Sequence, residues 1–450
     1  MTGRSLLRAA VSAALLVCAA PAPGSAQTAP PAASPPATGA ASGTLPGGVT
    51  YQVRPDRDAP AAAVALWYRA PASGFGAKPQ PGIARLAAAA VAGSAPLTGT
   101  PLSRLVERYG GRISVAAYPD SVAVTALVPP ERAVDTVRAM TTDYFAPVVG
   151  QDGLTLAQRD LAEDAVYRSF DPEQALEDLL GSALFASGPL HDGLIGTPNG
   201  YRGLTLAQTR AFAERAFRPS NAILVLTGAV DAGALSAVAG RDGAQPGAEA
   251  PAAEVAAGPS PAPLTRSGNA TGTGLGWVGP PIADEAAATA LDFAADALFG
   301  PGGTVDKAIG SRKATVSGKF VTYHDPGVFL VTISGDDAEA VRPLVARAVA
   351  EAAKPMSPAA FAAARAAYTY RILASIETPS DQAATYGWYS VEGNPAYAPA
   401  EGAPGGRYFD LAAALTPAGV ARTVARYLGP APAVVTLTAQ PPASGKKTAT

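Results

Sequence analysis

Cysteine and histidine are nearly missing from this chain: one Cys, Cys18, and two His, His191 and His324, stand among 450 residues. A single thiol makes no disulfide framework, so an oxidising compartment is permitted but not required. Two distant histidines leave no cluster at metal-ligand spacing, and a zinc site with three protein ligands would have to draw on long-range carboxylates. Clustered basic charge is also absent. The 34 Lys and Arg are scattered among 36 Asp and Glu, a net charge of -2, which gives no electrostatic footprint for nucleic acid. No G-x-S-x-G elbow occurs, and the glycines of Gly300 to Lys313 lack the order of a phosphate-binding loop, so that stretch reads as a structural turn.

What is present is apolar and plentiful. Hydrophobic residues make up 48% of the chain, enough for a large core and for two or more domains. The N-terminus sets Arg4 and Arg8 before an apolar run from Ala9 to Ala20, then the small residues Gly24, Ser25 and Ala26. That order is a secretory signal peptide over residues 1–26, too short in its apolar part to cross a bilayer. Export to a periplasm follows, and a mature chain without thiols, since Cys18 lies inside the leader. Lipid attachment at Cys18 is the alternative, though "LLV" before it lacks the usual small residue. No later window is long enough for a membrane span.

Residues 27–48, rich in Pro, Ala, Ser and Gly, read as a tether, and residues 241–264 as a linker of the same kind. They delimit domains at 49–240 and 265–440, with a disordered tail at 441–450. A shift of 211 residues lays "LTLAQTRAFAERAFRPSNAILVLTG" on "LTPAGVARTVARYLGPAPAVVTLTA". Each opens with a capping threonine, Thr205 or Thr416. Gln208 completes a capping box in the first, and Pro417 suits the first helical position in the second. Each helix ends at a proline, Pro219 or Pro430, and a β-branched run follows. Nearly the same shift pairs Trp67 with Trp277, each near a strand end. Matches at the start, middle and end in one order imply an internal duplication. Each copy is expected to be α+β: a mainly antiparallel sheet with helices on one face.

With those segments in view, the first half resembles the pitrilysin/insulinase-type zinc peptidases, which include mitochondrial processing peptidase and core subunits of respiratory complex III. "LPGGVTYQVRPDRDAPAAAVALWYRAPA" is similar to the family's first strands, "LVERYGGRISVAAYPDSVAVTALVP" to its Gly-Gly turn and hairpin, and "HDGLIGTPNGYRGLTLAQTRAFAERAFRPSNAILVLTG" to its Pro-x-Asn segment and strand. The resemblance implies two homologous domains arranged as a clamshell.

The family's inverted motif H-x-x-E-H places two His on one helical face for one zinc, with the Glu holding the attacking water. Aligned on the preceding glycine, this chain has Arg85 and Ala89 at the two His positions and Ala88 at the Glu. The downstream glutamate ligand aligns with Ala165, and Gln158 takes the place of an accompanying acid. The resemblance therefore implies neither catalytic residues nor a metal, and no cofactor. Arg85 either points to solvent or pairs with Glu163 or Asp164. Ser114 stands where the family has an Asn that contacts the substrate strand, and a short polar side chain there suits a peptide backbone. The Arg and Tyr that silent family members set seven residues apart have no counterpart at that spacing; Arg312, Lys313 and Tyr323 are offset.

The resulting expectation is a catalytically inactive family member, the non-catalytic subunit of a heteromeric zinc peptidase whose partner carries an intact H-x-x-E-H. A free-standing peptide-binding or scaffold protein, and an active metallopeptidase with an atypical site, are the alternatives.

Overall fold

The computed structural model describes residues 40–439, apart from residue 77 and residues 96–98, 193–195, 241–254, 257–262 and 398–406. The leader, the tether up to residue 39, most of the linker and the tail lie outside the described residues. The first half builds a six-stranded sheet in the order β1-β2-β7-β3-β5-β4. Its strands are β1 (Ala41–Thr44), β2 (Thr50–Pro55), β3 (Ala62–Arg69), β4 (Arg112–Ala117), β5 (Ser121–Val128) and β7 (Ala222–Gly228). A short ribbon pairs β6 (Phe185–Ser187) with β8 (Val255–Ala256). The second half builds a five-stranded sheet, β11-β12-β10-β13-β9, from β9 (Leu264–Gly268), β10 (Gly272–Val278), β11 (Thr315–Val321), β12 (Val328–Ser334) and β13 (Ala433–Ala439).

The duplication is visible strand by strand. β7 and β13 begin 211 residues apart, and each runs parallel to one neighbour, β2 or β9, within an otherwise antiparallel sheet. The helices before them, Leu206–Ala216 and Pro417–Leu428, start as the sequence indicates. Thr205 and Gln208 form the capping box, and Thr416 accepts from the Gly419 N–H with Pro417 leading the first turn. Trp67 lies in β3 and Trp277 in β10.

Two boundaries differ from the expectation. Ala41–Thr44, inside the stretch read as tether, is an edge strand antiparallel to β2, because the ladder satisfies its backbone groups where its small side chains bury little. The stretch read as linker likewise contributes β8, and its last residue, Leu264, opens β9 against β13. Composition marked both as unable to fold alone, and neither does: each borrows a partner strand.

How the halves meet has no signature in the repeat. The helix Pro172–Leu184 of the first half packs on β10, β12 and β13 of the second, and its counterpart Pro379–Val391 packs on β3, β5 and β7 of the first. Each sheet thus has its own helices on one face and a helix of the other half across the opposite face. This explains why β3 reads as one buried apolar run with no polar alternation: it is covered on both sides. The exchanged helices define a shared core of Trp67, Leu176, Leu180, Tyr386, Trp388 and Val435, among others. Each leucine buried there contributes about 1.5–3 kcal/mol. One ion pair and one hydrogen bond reinforce it: Lys319 with Glu177 at 2.7 Å, and Ser317 donating to Glu173 at 2.9 Å.

Candidate functional site

The helix Ile83–Gly93 carries the positions aligned with the zinc motif. It starts at Gly82, whose φ of 88° is open to glycine, and a Cβ there would lie 2.5 Å from the Tyr201 ring. The alanine run makes a strong helix former that is almost wholly buried. Small side chains let it press against the helix Gln151–Arg168: Ser94 donates to the Ala90 carbonyl and accepts from the Gly150 N–H, and Gly153 sits where any Cβ would strike Ser94.

Between these two helices Arg85 points inward, only 6% exposed, and its Nη1 donates to Asp164 Oδ2 at 2.6 Å. Of the two carboxylates offered by the sequence, Asp164 is the partner, while Glu163, one residue or about 100° away, faces out. Tyr201, fully buried, also faces Arg85, and burial raises its phenol pKa while the Arg85 charge draws it back. One turn beyond Asp164 comes Arg168, whose pKa is lowered by burial and by the nearby Arg85 charge. The result is a row of alternating charge, Arg85, Asp164 and Arg168, along the seam of two helices.

These side chains do not fit a zinc ion. Ala88 and Ala165 are buried methyl groups without lone pairs, Ala89 is half-buried, and Arg85 is a permanent cation already matched to a carboxylate. Among the described residues no group of three or more His, Cys, Asp or Glu is placed to hold a metal ion. Gln158 serves as a strut, donating to the Tyr201 carbonyl at 2.9 Å and the Leu204 carbonyl at 2.8 Å.

Ser114 lies exposed on β4, the last strand of its sheet, with only β5 beside it and the Ile83–Gly93 helix packed against it. Arg312 caps the short helix Thr304–Ile309 through the Ala308 and Ile309 carbonyls, and Tyr323 is buried against Trp388. Arg312 is exposed but bonded back to its own helix end, and Tyr323 is buried, so the two do not form an exposed Arg–Tyr grip. His191 contacts Asp192 at 3.0 Å, and Ser73 donates to the same carboxylate. The acid stands between Ser and His, so the hydroxyl has no base, which is the wrong order for a nucleophilic triad.

Sequence reasoning missed Arg168 and Tyr201. Arg168 was within reach, since four residues after Asp164 places it on the same helical face. Tyr201 gave no local signal, because only the fold brings its segment under Gly82.

The second half repeats the motif with charges exchanged. A shift of 207 residues, the one that lays the helix caps Asp171 on Thr378, carries Asp164 onto Arg371. Arg371, on the helix Pro358–Ala374, makes a two-pronged ion pair with Asp296 on the helix Glu285–Phe299, the second half's counterpart of Ile83–Gly93. Each half thus joins its first helix to its long helix by one Arg–Asp pair.

No family model matches the chain. A curated relative, named as an uncharacterized zinc protease of Mycobacterium leprae, is 25% identical over 139 residues, which is 30% of this chain and 30% of that protein. The match therefore spans less than a third of the relative's length. Solved structures extend much further. A protease from Helicobacter pylori superposes with a TM-score of 0.76 at 16% identity, covering 89% of this chain and 99% of that one. The peptidase M16 inactive domain of Pseudomonas fluorescens gives 0.69 at 18% identity, with 90% and 98% covered. A chain of complex III2 from Candida albicans gives 0.70 at 13% identity, with 88% and 94% covered. The chain has the two-domain α+β fold of the pitrilysin/insulinase-type (M16) peptidases, and its sequence contains no H-x-x-E-H motif.

Proposed function

We propose that this protein is a catalytically silent member of the M16 peptidase group, exported to the periplasm, where it serves as the non-catalytic subunit of a heteromeric zinc peptidase. The observation that carries the reading is the Arg85–Asp164 pair: the seam that would hold the metal is filled by a part-buried ion pair, its arginine enclosed, flanked by alanines. A chain that keeps the scaffold and replaces the chemistry with packing contributes surface, not turnover. The exposed edge of β4, with Ser114 on it, offers unpaired backbone groups to an extended peptide and supports a second reading, a free-standing peptide-binding protein.

The test measures metal and activity together. The purified protein should hold far less than one zinc per chain after dialysis and cleave no peptide alone. Mixed with a partner bearing H-x-x-E-H, it should co-elute with that partner and raise its peptidase rate. A partner that is fully active alone and never co-elutes removes the subunit reading and leaves peptide binding; stoichiometric zinc removes both.

A further inference from the structure

The seam between the halves encloses two carboxyl groups from opposite sides. Asp120 lies in the turn between β4 and β5 of the first half, and Glu392 ends the exchanged helix Pro379–Val391 of the second. Glu392 is 1% exposed; Asp120 keeps some exposed surface, but its Oδ1 is sealed from solvent. The turn is held against the helix end, since the Ala70 N–H donates to the Asp120 carbonyl and the adjacent Arg69 donates to the Val391 and Ser390 carbonyls, so the two carboxyl groups face each other. Asp120 Oδ1 and Glu392 Oε1 each lack any donor among the described residues. Two carboxylates cannot bond to each other, whereas a carboxylic acid and a carboxylate can, and a single proton then satisfies both oxygens.

We propose that one proton shared between Asp120 and Glu392 latches the two halves together, and that its loss as pH rises loosens the seam.

The surroundings favour the shared proton. Glu392 Oε2 accepts from the His324 backbone N–H at 2.6 Å, and the His324 ring meets the Glu392 carbonyl at 2.8 Å. Arg69 faces the pair from β3, but its guanidinium is committed to the Val391 and Ser390 carbonyls at 2.7 and 3.2 Å. The buried Tyr323 phenol faces both acids, with Glu177 and Tyr118 also beside it. Glu177 is matched by Lys319. Arg69 draws Glu392 down and His324 draws Asp120 down, but burial outweighs both, so a second negative charge stays costly within the seam. Burial first, then the Asp120 charge, pushes Glu392 well above the usual carboxylate range; burial also raises Asp120. The folded chain holds a proton that the unfolded chain releases near pH 4 to 5, so the latch's stabilisation is complete below that range. It is lost as pH climbs through the raised value.

Hydrogen exchange on the full chain at pH 5.5 and pH 8, corrected for intrinsic rates, reads this locally. Segments 118–128, 322–330 and 379–392 should lose protection by up to about tenfold for each pH unit climbed above the raised value. Glu392→Gln keeps a hydrogen bond to Asp120 without a second charge and should abolish the fall, as should Asp120→Asn. The variant Asp292→Asn, in the separate core of the second half, should leave it intact. A fall of the same size in Glu392→Gln overturns the proposal. Should either variant misfold, acrylamide quenching of Trp388 and Trp67 in the unaltered protein decides: quenching that does not rise between pH 5.5 and pH 8 overturns it as well.

Discussion

Gly387 lies so close to Trp67 that a Cβ at residue 387 would stand 1.9 Å from the indole Nε1. The glycine is the point at which the exchanged helix Pro379–Val391 seats on β3, and Trp67 is held in turn by Tyr118, stacked at 5.4 Å, and by Trp388 edge-on at 6.4 Å. No rotamer relieves the contact. Gly387→Ala, ordinarily favourable in a helix, should here cost at least about 2 kcal/mol through overpacking. Chemical denaturation measures it, and an unchanged midpoint would contradict the packing described.

The Arg85–Asp164 pair predicts unequal damage. Asp164→Ala strands the buried Arg85 guanidinium, while Arg168 keeps Asp178; Arg85→Ala leaves a part-exposed Asp164 with Arg168 still near. The first should cost about 3–5 kcal/mol and the second clearly less. The double replacement Arg85→Met with Asp164→Leu should recover much of the loss. A double-mutant cycle on the denaturation midpoints gives the coupling, and strict additivity would show the pair to be idle.

Asp292 supplies a pH prediction of its own. It is enclosed by the Tyr368 and Tyr408 hydroxyls, which donate to its Oδ2. Burial raises its pKa, partly offset by those two bonds. A raised folded pKa means that its share of stability is complete below the ordinary aspartate range, near pH 4, and is lost as pH rises through the shifted value. Asp292→Asn keeps an acceptor for both hydroxyls and should flatten the decline of stability with rising pH. Thermal unfolding at several pH values compares the two slopes.

Export is checked at the chain's start. The charged, apolar and small-residue order over residues 1–26 predicts a mature N-terminus near Gln27 in the periplasmic fraction. N-terminal sequencing reads it, and an intact Met1 in the cytoplasm would refute it.

Much of the fold was legible because its signals are local. The threonine caps, the prolines after the helices and the β-branched runs sit within a few residues of what they specify, so the duplication and the sheet-plus-helix plan could be read directly. The alignment around Gly82 brought Arg85 and Asp164 to attention, yet the choice between Asp164 and Glu163 needed the rotation of a helix against its neighbour. What was hidden depends on contacts hundreds of residues apart. Leu176 and Trp388 look like ordinary helix positions in sequence, and nothing near them says that each belongs to the other half's core. Asp120 and Glu392 are likewise unremarkable singly, and only their meeting makes them chemistry.

The crossing of helices also sets an order of events as the chain emerges during synthesis. Pro172–Leu184 is complete some ninety residues before β10 begins, and β13, the strand it must also cover, ends only at Ala439. The first sheet in turn waits for Pro379–Val391 to cover its open face. Neither half can finish alone, so apolar faces on both sheets stay uncovered until nearly the last strand is made, and contacts of such long range close slowly. A nascent or truncated chain ending before residue 379 would present the face of β3 and β7, bare, to whatever holds unfolded proteins.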